Sequence, residues 1–131
     1  MENKKIKVFT IDENGNDVEY EISNKRVYML IAYVNDYAFE LGSIGSLNLE
    51  GIEEMHLLKK DTLFYELENG ASCATELEDP DFSVDRTPSW AKKCRIFASH
   101  SKLKLENVRK DLLYYMQRKA KTPYDCLTFN V

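Results

Sequence analysis

The sequence is poor in the residues from which common catalytic and metal sites are built. Its 131 residues include 2 histidines, 3 cysteines and 5 glycines. Neither His56 nor His100 has a histidine or cysteine at ligand spacing, so we predict no metal site and no cofactor. The few glycines form no phosphate-binding loop and no nucleophile elbow. We therefore expect a non-catalytic protein rather than an enzyme.

Long hydrophobic runs are also lacking. The longest, Val27–Val34, is far shorter than the roughly 20 residues that cross a bilayer, and no signal-peptide pattern opens the sequence. The odd and widely spaced cysteines Cys73, Cys94 and Cys126 argue against a disulfide framework and fit a reducing compartment. We expect a cytoplasmic protein with no membrane partner.

What the chain does have is a strongly uneven distribution of charge. Residues 48–85 carry 11 acidic residues against Lys59 and Lys60, whereas residues 86–121 carry 11 Lys/Arg against Glu106 and Asp111. The overall net charge of −4 therefore conceals a basic C-terminal third. A basic block of this kind indicates an anionic partner, in another molecule or within the same chain.

Two Asn-Gly pairs between extended runs predict β-hairpins. In the first, Lys5–Glu13 leads into Asn14-Gly15 and returns through Asn16–Ile22. In the second, Thr62–Glu68 leads into Asn69-Gly70 and returns through Ala71–Leu77. Asn-Gly favours a two-residue type I′ turn because it tolerates positive φ at both central positions.

The segment between the hairpins is ambiguous. Val27–Leu41 fits one apolar helix face, which we favour because no Gly or Pro interrupts it. It also fits a buried strand Val27–Val34 with a turn at Asn35-Asp36. Residues 52–59 could form a short helix.

The C-terminal third is predicted to be helical. Thr87 and Pro88 resemble a cap and first turn for a helix to about Ala98. A second helix spans about Leu103 to Lys121 and stops before Pro123. Its expected core stripe is Leu105, Val108, Leu112, Tyr115 and Met116. Residues 124–131 alternate as an edge strand would.

Together these elements predict an α+β fold, in which an N-terminal antiparallel sheet packs against C-terminal α-helices. We expect a single domain over residues 1–131. It would comprise a sheet-rich part at 1–77, an acidic loop at 78–86, a helical part at 87–121 and a strand or tail at 122–131.

The outer arc of the last helix is the leading candidate binding site. Cations beside an aromatic ring and an amide suit a phosphate-bearing ligand, because the cations neutralise charge and the ring can stack. The residues are Lys110, Tyr114, Gln117, Arg118 and Lys121, with Lys92 and Arg95 from the preceding segment as extensions. The ligand would be a nucleotide-like small molecule or a nucleic acid. A solvated helix face is the alternative.

The acidic loop supports a second hypothesis. A protein-binding inhibitor or adaptor could dock a host protein through carboxylates around one aromatic anchor, namely Glu76, Glu78, Asp79, Asp81, Phe82 and Asp85. Charge-polarised proteins without catalytic motifs occur among accessory factors of phages and other mobile elements. The opposed charge blocks could also pair within a molecule or between copies, giving a homo-oligomer.

Overall fold

The computed structural model describes residues 4–58, 73–77 and 88–131, and for residues 73–77 it describes the main chain. Eight strands, one α-helix and a C-terminal 3-10 helix follow one another in this part of the chain. They are β1 (Lys5–Ile11), β2 (Asp17–Ser23), β3 (Val27–Val34), β4 (Phe39–Leu41), β5 (Gly45–Leu47), β6 (Glu54–His56), β7 (Cys73–Leu77), β8 (Lys93–Ser99), α1 (Lys102–Arg118) and the 3-10 helix Pro123–Thr128. The predicted α+β class, with its N-terminal antiparallel sheet and C-terminal helix, is confirmed.

The first predicted hairpin is confirmed, although its turn differs from the prediction. β1 pairs antiparallel with β2, and Ile11 lies opposite Asp17. The loop spans Glu13–Gly15, because Asp12 N–H donates to the Asn16 carbonyl and Gly15 N–H donates to the Asp12 carbonyl. Gly15 has φ +82, so the hairpin has a three-residue loop that ends on a left-handed glycine. β6 pairs parallel with the other edge of β1 and completes a three-stranded sheet in the order β2-β1-β6.

The second sheet is built around β3 and β8, which pair antiparallel along their whole length. β7 pairs with the free side of β8, and both β4 and β5 pair with the free side of β3. The register shifts by one residue between β4 and β5, so residues 39–47 follow β3 as one strand interrupted by a bulge. Within the bulge, Gly42 N–H donates to the Ile31 carbonyl.

The five-stranded sheet is the middle of three layers. Odd residues of β3 and even residues of β8, such as Tyr33, Cys94 and Ile96, pack with Ile6 and Val8 of the three-stranded sheet. The even residues of β3 and the odd residues of β8 lie on the other face of the sheet. They pack against α1 and the 3-10 helix, through Leu30, Ala32, Val34 and Phe97. Both faces of β3 are therefore apolar, as expected for a strand covered on both sides.

Four sequence predictions of local structure are wrong. Val27–Leu41 is not a helix but the strand pair β3 and β4, the alternative reading, with its turn at Asn35-Asp36. Strand β6 stands in place of the helix predicted at 52–59, and strand β8 (Lys93–Ser99) in place of most of the helix predicted to end at about Ala98, because both strands pair with partners distant in sequence. Residues 124–131 form no strand, because Pro123 and Asp125 begin a 3-10 helix there.

Of the second predicted hairpin, the structure shows strand β7, and the turn and first strand lie outside the described residues. Within the described ranges, no helix has both the length and the apolar character needed to cross a membrane.

Candidate anion-binding helix face

Helix α1 forms where it was predicted, within one residue at its start and three at its end. Ser101 adopts an extended backbone and its side chain accepts a hydrogen bond from Lys104 N–H at 3.3 Å, which caps the first turn. The first turn contains Lys102 and Lys104 and no acidic residue. Their positive charges add to the positive end of the helix dipole, an arrangement that costs stability unless an anion is nearby.

The inner side of α1 is the predicted core stripe. Leu105, Val108 and Leu112 are buried against Leu30 and Phe97 of the middle sheet. Tyr115 and Met116 are partly buried beside them, and the Tyr115 ring lies 5.3 Å from the ring of Phe129. This burial fixes the rotation of the helix and so determines which residues face solvent.

Lys110, Tyr114 and Arg118 form a row along the outer side of α1, each four residues from the next. All three are exposed, and 58% of the Tyr114 surface is accessible. The Arg118 guanidinium lies 5.9 Å from the centre of the Tyr114 ring, at the limit of a cation–π contact. Gln117 is exposed beside the row. We call Lys110, Tyr114, Gln117 and Arg118 the basic face.

No described carboxylate lies within ion-pair distance of Lys110 or Arg118. Among the described residues, Lys92 forms an ion pair with Asp36, and His56 Nε2 lies 3.6 Å from Glu54 Oε2. Glu106 and Asp111 are on the same helix and exposed, but they pair with neither cation. The two charges are therefore available to an external anion, as far as the described part of the chain is concerned.

Lys121 is exposed but lies three residues beyond the helix. Its main-chain N–H and that of Thr122 donate to Asp125 Oδ2. These backbone hydrogen bonds lower the pKa of Asp125. Lys121 thus belongs to the segment that begins the 3-10 helix, and its side chain extends the exposed positive charge past the end of α1.

Lys92 does not lie on a helix and does not join the basic face. Its Nζ is 2.7 Å from Asp36 Oδ2, and the hydroxyl of Tyr124 donates to Asp36 Oδ1 at 2.9 Å. Hydrogen bonds from Lys92 and then Tyr124 lower the pKa of Asp36, and Asp36 in turn raises the pKa of Lys92. Burial, followed by the bond to Asp36, raises the pKa of Tyr124. This cluster ties the β3–β4 turn to two later segments.

Arg95 has a structural role in the middle sheet. Its Nη1 donates to the carbonyls of Cys126 at 2.9 Å and Phe129 at 2.7 Å, and its guanidinium lies 4.6 Å over the ring of Phe97. A side chain held by two carbonyls and a ring anchors the C-terminal segment. We therefore do not include Arg95 in the basic face.

The acidic residues of the second hypothesis are mostly outside the described part of the chain. Glu76 is on β7, where its main chain lies opposite Arg95. The others lie outside the described residues: Glu78, Asp79, Asp81, Phe82 and Asp85. Docking of a partner through these acidic residues remains a prediction.

Among the described residues no three His, Cys, Asp or Glu side chains converge on a possible metal position. Cys94 and Cys126 are buried, and burial raises the pKa of Cys94 to about 11. At neutral pH Cys94 is therefore a protonated thiol packed in the core, which does not suit a nucleophile.

A second charged surface, which neither predicted binding site includes, lies on the three-stranded sheet. Asp17, Glu19 and Glu21 are exposed on one face of β2, at the edge of the three-stranded sheet. On the same face, Phe9 of β1 stacks on His56 of β6 with ring centres 5.1 Å apart. The alternation of acidic and apolar residues over 17–22 indicates which side of this strand is exposed, but it does not show that the strand lies at an edge.

One cleft of about 350 Å³ opens beside the first half of α1, lined by Leu103, Lys104, Asn107, Asp111 and Val131 among others. None of the four basic-face residues lines it. The basic face therefore lies outside this cleft.

No protein-family model, curated protein or solved structure matches this chain.

Proposed function

We propose that this protein is a non-catalytic binding protein that contacts the phosphate backbone of a nucleic acid through the basic face of α1. The observation that carries the proposal is the exposed row Lys110, Tyr114 and Arg118, with no described carboxylate paired to either cation. Lysine and arginine contacts to phosphates supply most of the non-specific affinity for nucleic acids.

The shape of the site favours a polyanion over a free nucleotide. Small-molecule sites are concave and surround most of their ligand, whereas no residue of the basic face lines the cleft beside α1. Helix α1 also carries cations outside the basic face, Lys102 and Lys104, in its first turn. At a rise of about 1.5 Å per residue the 17-residue helix is about 25 Å long, enough to follow several phosphates.

Tyr114 gives the surface a second means of contact. One side of its ring is approached by Arg118, and more than half of its surface remains accessible. An exposed ring flanked by cations can stack on an unpaired base, a contact worth about 1–3 kcal/mol per base. Tyr114→Ala should therefore weaken single-stranded binding more than duplex binding, and Tyr114→Phe should leave both near the wild-type value.

The test is a fluorescence polarisation titration with labelled single-stranded and duplex oligonucleotides. We expect the logarithm of the wild-type association constant to fall linearly with the logarithm of the salt concentration between about 50 and 200 mM. Lys110→Gln/Arg118→Gln should reduce the slope by about two, one for each phosphate that the variant no longer neutralises.

The matched control is Lys5→Gln/Lys7→Gln, which removes two exposed cations from β1 in the three-stranded sheet. It changes the net charge equally and should leave the slope unaltered. Equal losses of affinity in the two double variants would show that binding follows net charge rather than the basic face. The absence of salt-dependent binding by wild-type protein would refute the proposal.

A further inference from the structure

Among the residues that the structure describes, β2 is an end strand of its sheet, and the side of its main chain away from β1 pairs with no described strand. In the β1–β2 pair, Asn24 N–H donates to the Lys4 carbonyl and Asp12 N–H donates to the Asn16 carbonyl. Hydrogen-bonded pairs alternate along an antiparallel ladder, so the residues of β2 that bond to β1 are the even-numbered ones. The N–H and C=O groups of Asp17, Glu19 and Glu21 therefore point away from β1, toward the edge of the sheet.

The same three residues carry exposed carboxylates. None of these carboxylates lies within 4.0 Å of a cation among the described residues, although Lys7 is the β1 neighbour of Glu21. The edge thus presents outward-facing peptide groups and negative charge at the same alternate positions, spaced about 6.8 Å apart.

This arrangement disfavours the pairing of β2 with a second copy of itself. In an antiparallel pair, residues that point their peptide groups at each other lie directly opposite on one face. Two copies of β2 would therefore place Asp17, Glu19 and Glu21 against one another, and like charges directly opposite destabilise a sheet. A strand with lysine or arginine at alternate positions would gain hydrogen bonds and opposite-charge pairs from the same residues.

We propose that the edge of β2 binds an extended basic segment of a partner protein, which adds to the three-stranded sheet as an antiparallel strand. Strand addition supplies affinity through main-chain hydrogen bonds, and the alternate side chains supply specificity. Lys or Arg of the partner would hydrogen bond through the main chain to Asp17, Glu19 and Glu21 and place their side chains beside the three carboxylates.

The probe is a peptide as long as β2, seven residues, with the sequence Val-Lys-Val-Lys-Val-Lys-Val. Isothermal titration and amide chemical shifts should show binding, with the largest shifts at Asp17, Glu19 and Glu21. A peptide of the same composition with the three lysines adjacent should bind about tenfold more weakly, because it cannot form all three cross-strand charge pairs. Equal binding by the two peptides would overturn the proposal, since bulk charge would then suffice.

N-methylated peptides test the hydrogen bonds without altering the protein. Methylation at the lysine amides removes the donors that face β2 and should abolish binding. Methylation at the central valine amides, which face away, should have little effect. The reverse result, or equal loss of binding from both peptides, would overturn the antiparallel pairing.

Protein variants complete the test. Glu19→Lys/Glu21→Lys should eliminate peptide binding, whereas Glu50→Lys/Glu106→Lys changes the net charge equally at exposed positions away from β2 and should retain it. Glu19→Pro removes one outward N–H while keeping every hydrogen bond to β1, so it too should weaken binding. Retention of binding in both β2 variants would refute the assignment of the site to this edge.

Discussion

Arg95 offers the clearest separation between a structural cation and a binding cation. Arg95→Ala removes two hydrogen bonds to main-chain carbonyls and the contact over Phe97. Hydrogen bonds to a charged group contribute about 1.5–3 kcal/mol each when buried and less when half-exposed, and the ring contact adds about 0.5–1 kcal/mol. We expect a loss of about 3 kcal/mol in the free energy of unfolding, or roughly 10 °C in Tm.

Arg109→Ala is the matched comparison, because it removes the same side chain but a single hydrogen bond, from Nη1 to the Gly42 carbonyl at 2.7 Å. Its expected cost is about 1 kcal/mol. Urea unfolding followed by circular dichroism measures both variants. Limited proteolysis should show earlier cleavage near residues 123–131 in Arg95→Ala alone.

The same variants enter the oligonucleotide titration, since Lys110→Gln/Arg118→Gln should show the opposite behaviour, with unaltered unfolding and weaker binding. The structural role assigned to Arg95 is wrong if Arg95→Ala unfolds at the wild-type urea concentration, and most clearly so if this variant also loses oligonucleotide affinity. In that case the guanidinium would be serving a ligand rather than the C-terminal segment.

Three further predictions concern stability. Leu112→Ala should lower the free energy of unfolding in urea by about 3 kcal/mol, because loss of this fully buried side chain leaves a cavity. Leu113→Ala should lower it by less than about 1 kcal/mol, because Leu113 is partly exposed. Equal losses would contradict the assigned rotation of α1. Gly15→Ala should lower stability by about 1 kcal/mol through its positive φ alone, since no atom lies within 4 Å of a built Cβ, and Gly45→Ala should be neutral. Because the pKa of Asp36 is lowered in the folded state, the stability that this carboxylate contributes is complete above its ordinary pKa of 3.8 and is lost as pH falls through its folded pKa. Asp36→Asn should therefore flatten the acid side of a plot of unfolding midpoint against pH. An unchanged slope would refute the linkage.

The local structure that the sequence reveals depends on how many sides of each helix or strand are covered. α1 is buried on one side, so Leu105, Val108 and Leu112 keep the helical period and the exposed residues follow by geometry. β3 is covered on both faces, which removes the two-residue alternation and leaves an apolar run that also fits a helix.

The segment before β8 shows a second limit. Thr87-Pro88 resembles a helix start, yet Asn35 Nδ2 donates to the Trp90 carbonyl and Lys92 N–H donates to the Val34 carbonyl, which joins this segment to β3. Those partners lie more than 50 residues away, and no local pattern reveals them.

The candidate site divides in the same way. Lys110, Tyr114 and Arg118 were predictable because they share one helix. The roles of Lys92 and Arg95 were not, because they are determined by Asp36 and by the carbonyls of Cys126 and Phe129. The side of β2 that faces away from β1 required the hydrogen-bond pattern of the ladder, which a sequence alone does not give.

The middle position of β3 and β8 has a consequence for hydrogen exchange. Their amides are bonded to strands on both sides and covered by a layer on each face, so they should exchange only when the whole molecule opens. The outward amides of β2 have no such cover from the described residues and should exchange within the native state. In a single sample, a time course of hydrogen–deuterium exchange would therefore report global unfolding from the amides of β3 and β8. The outward amides of β2 would report whether a partner strand occupies that edge.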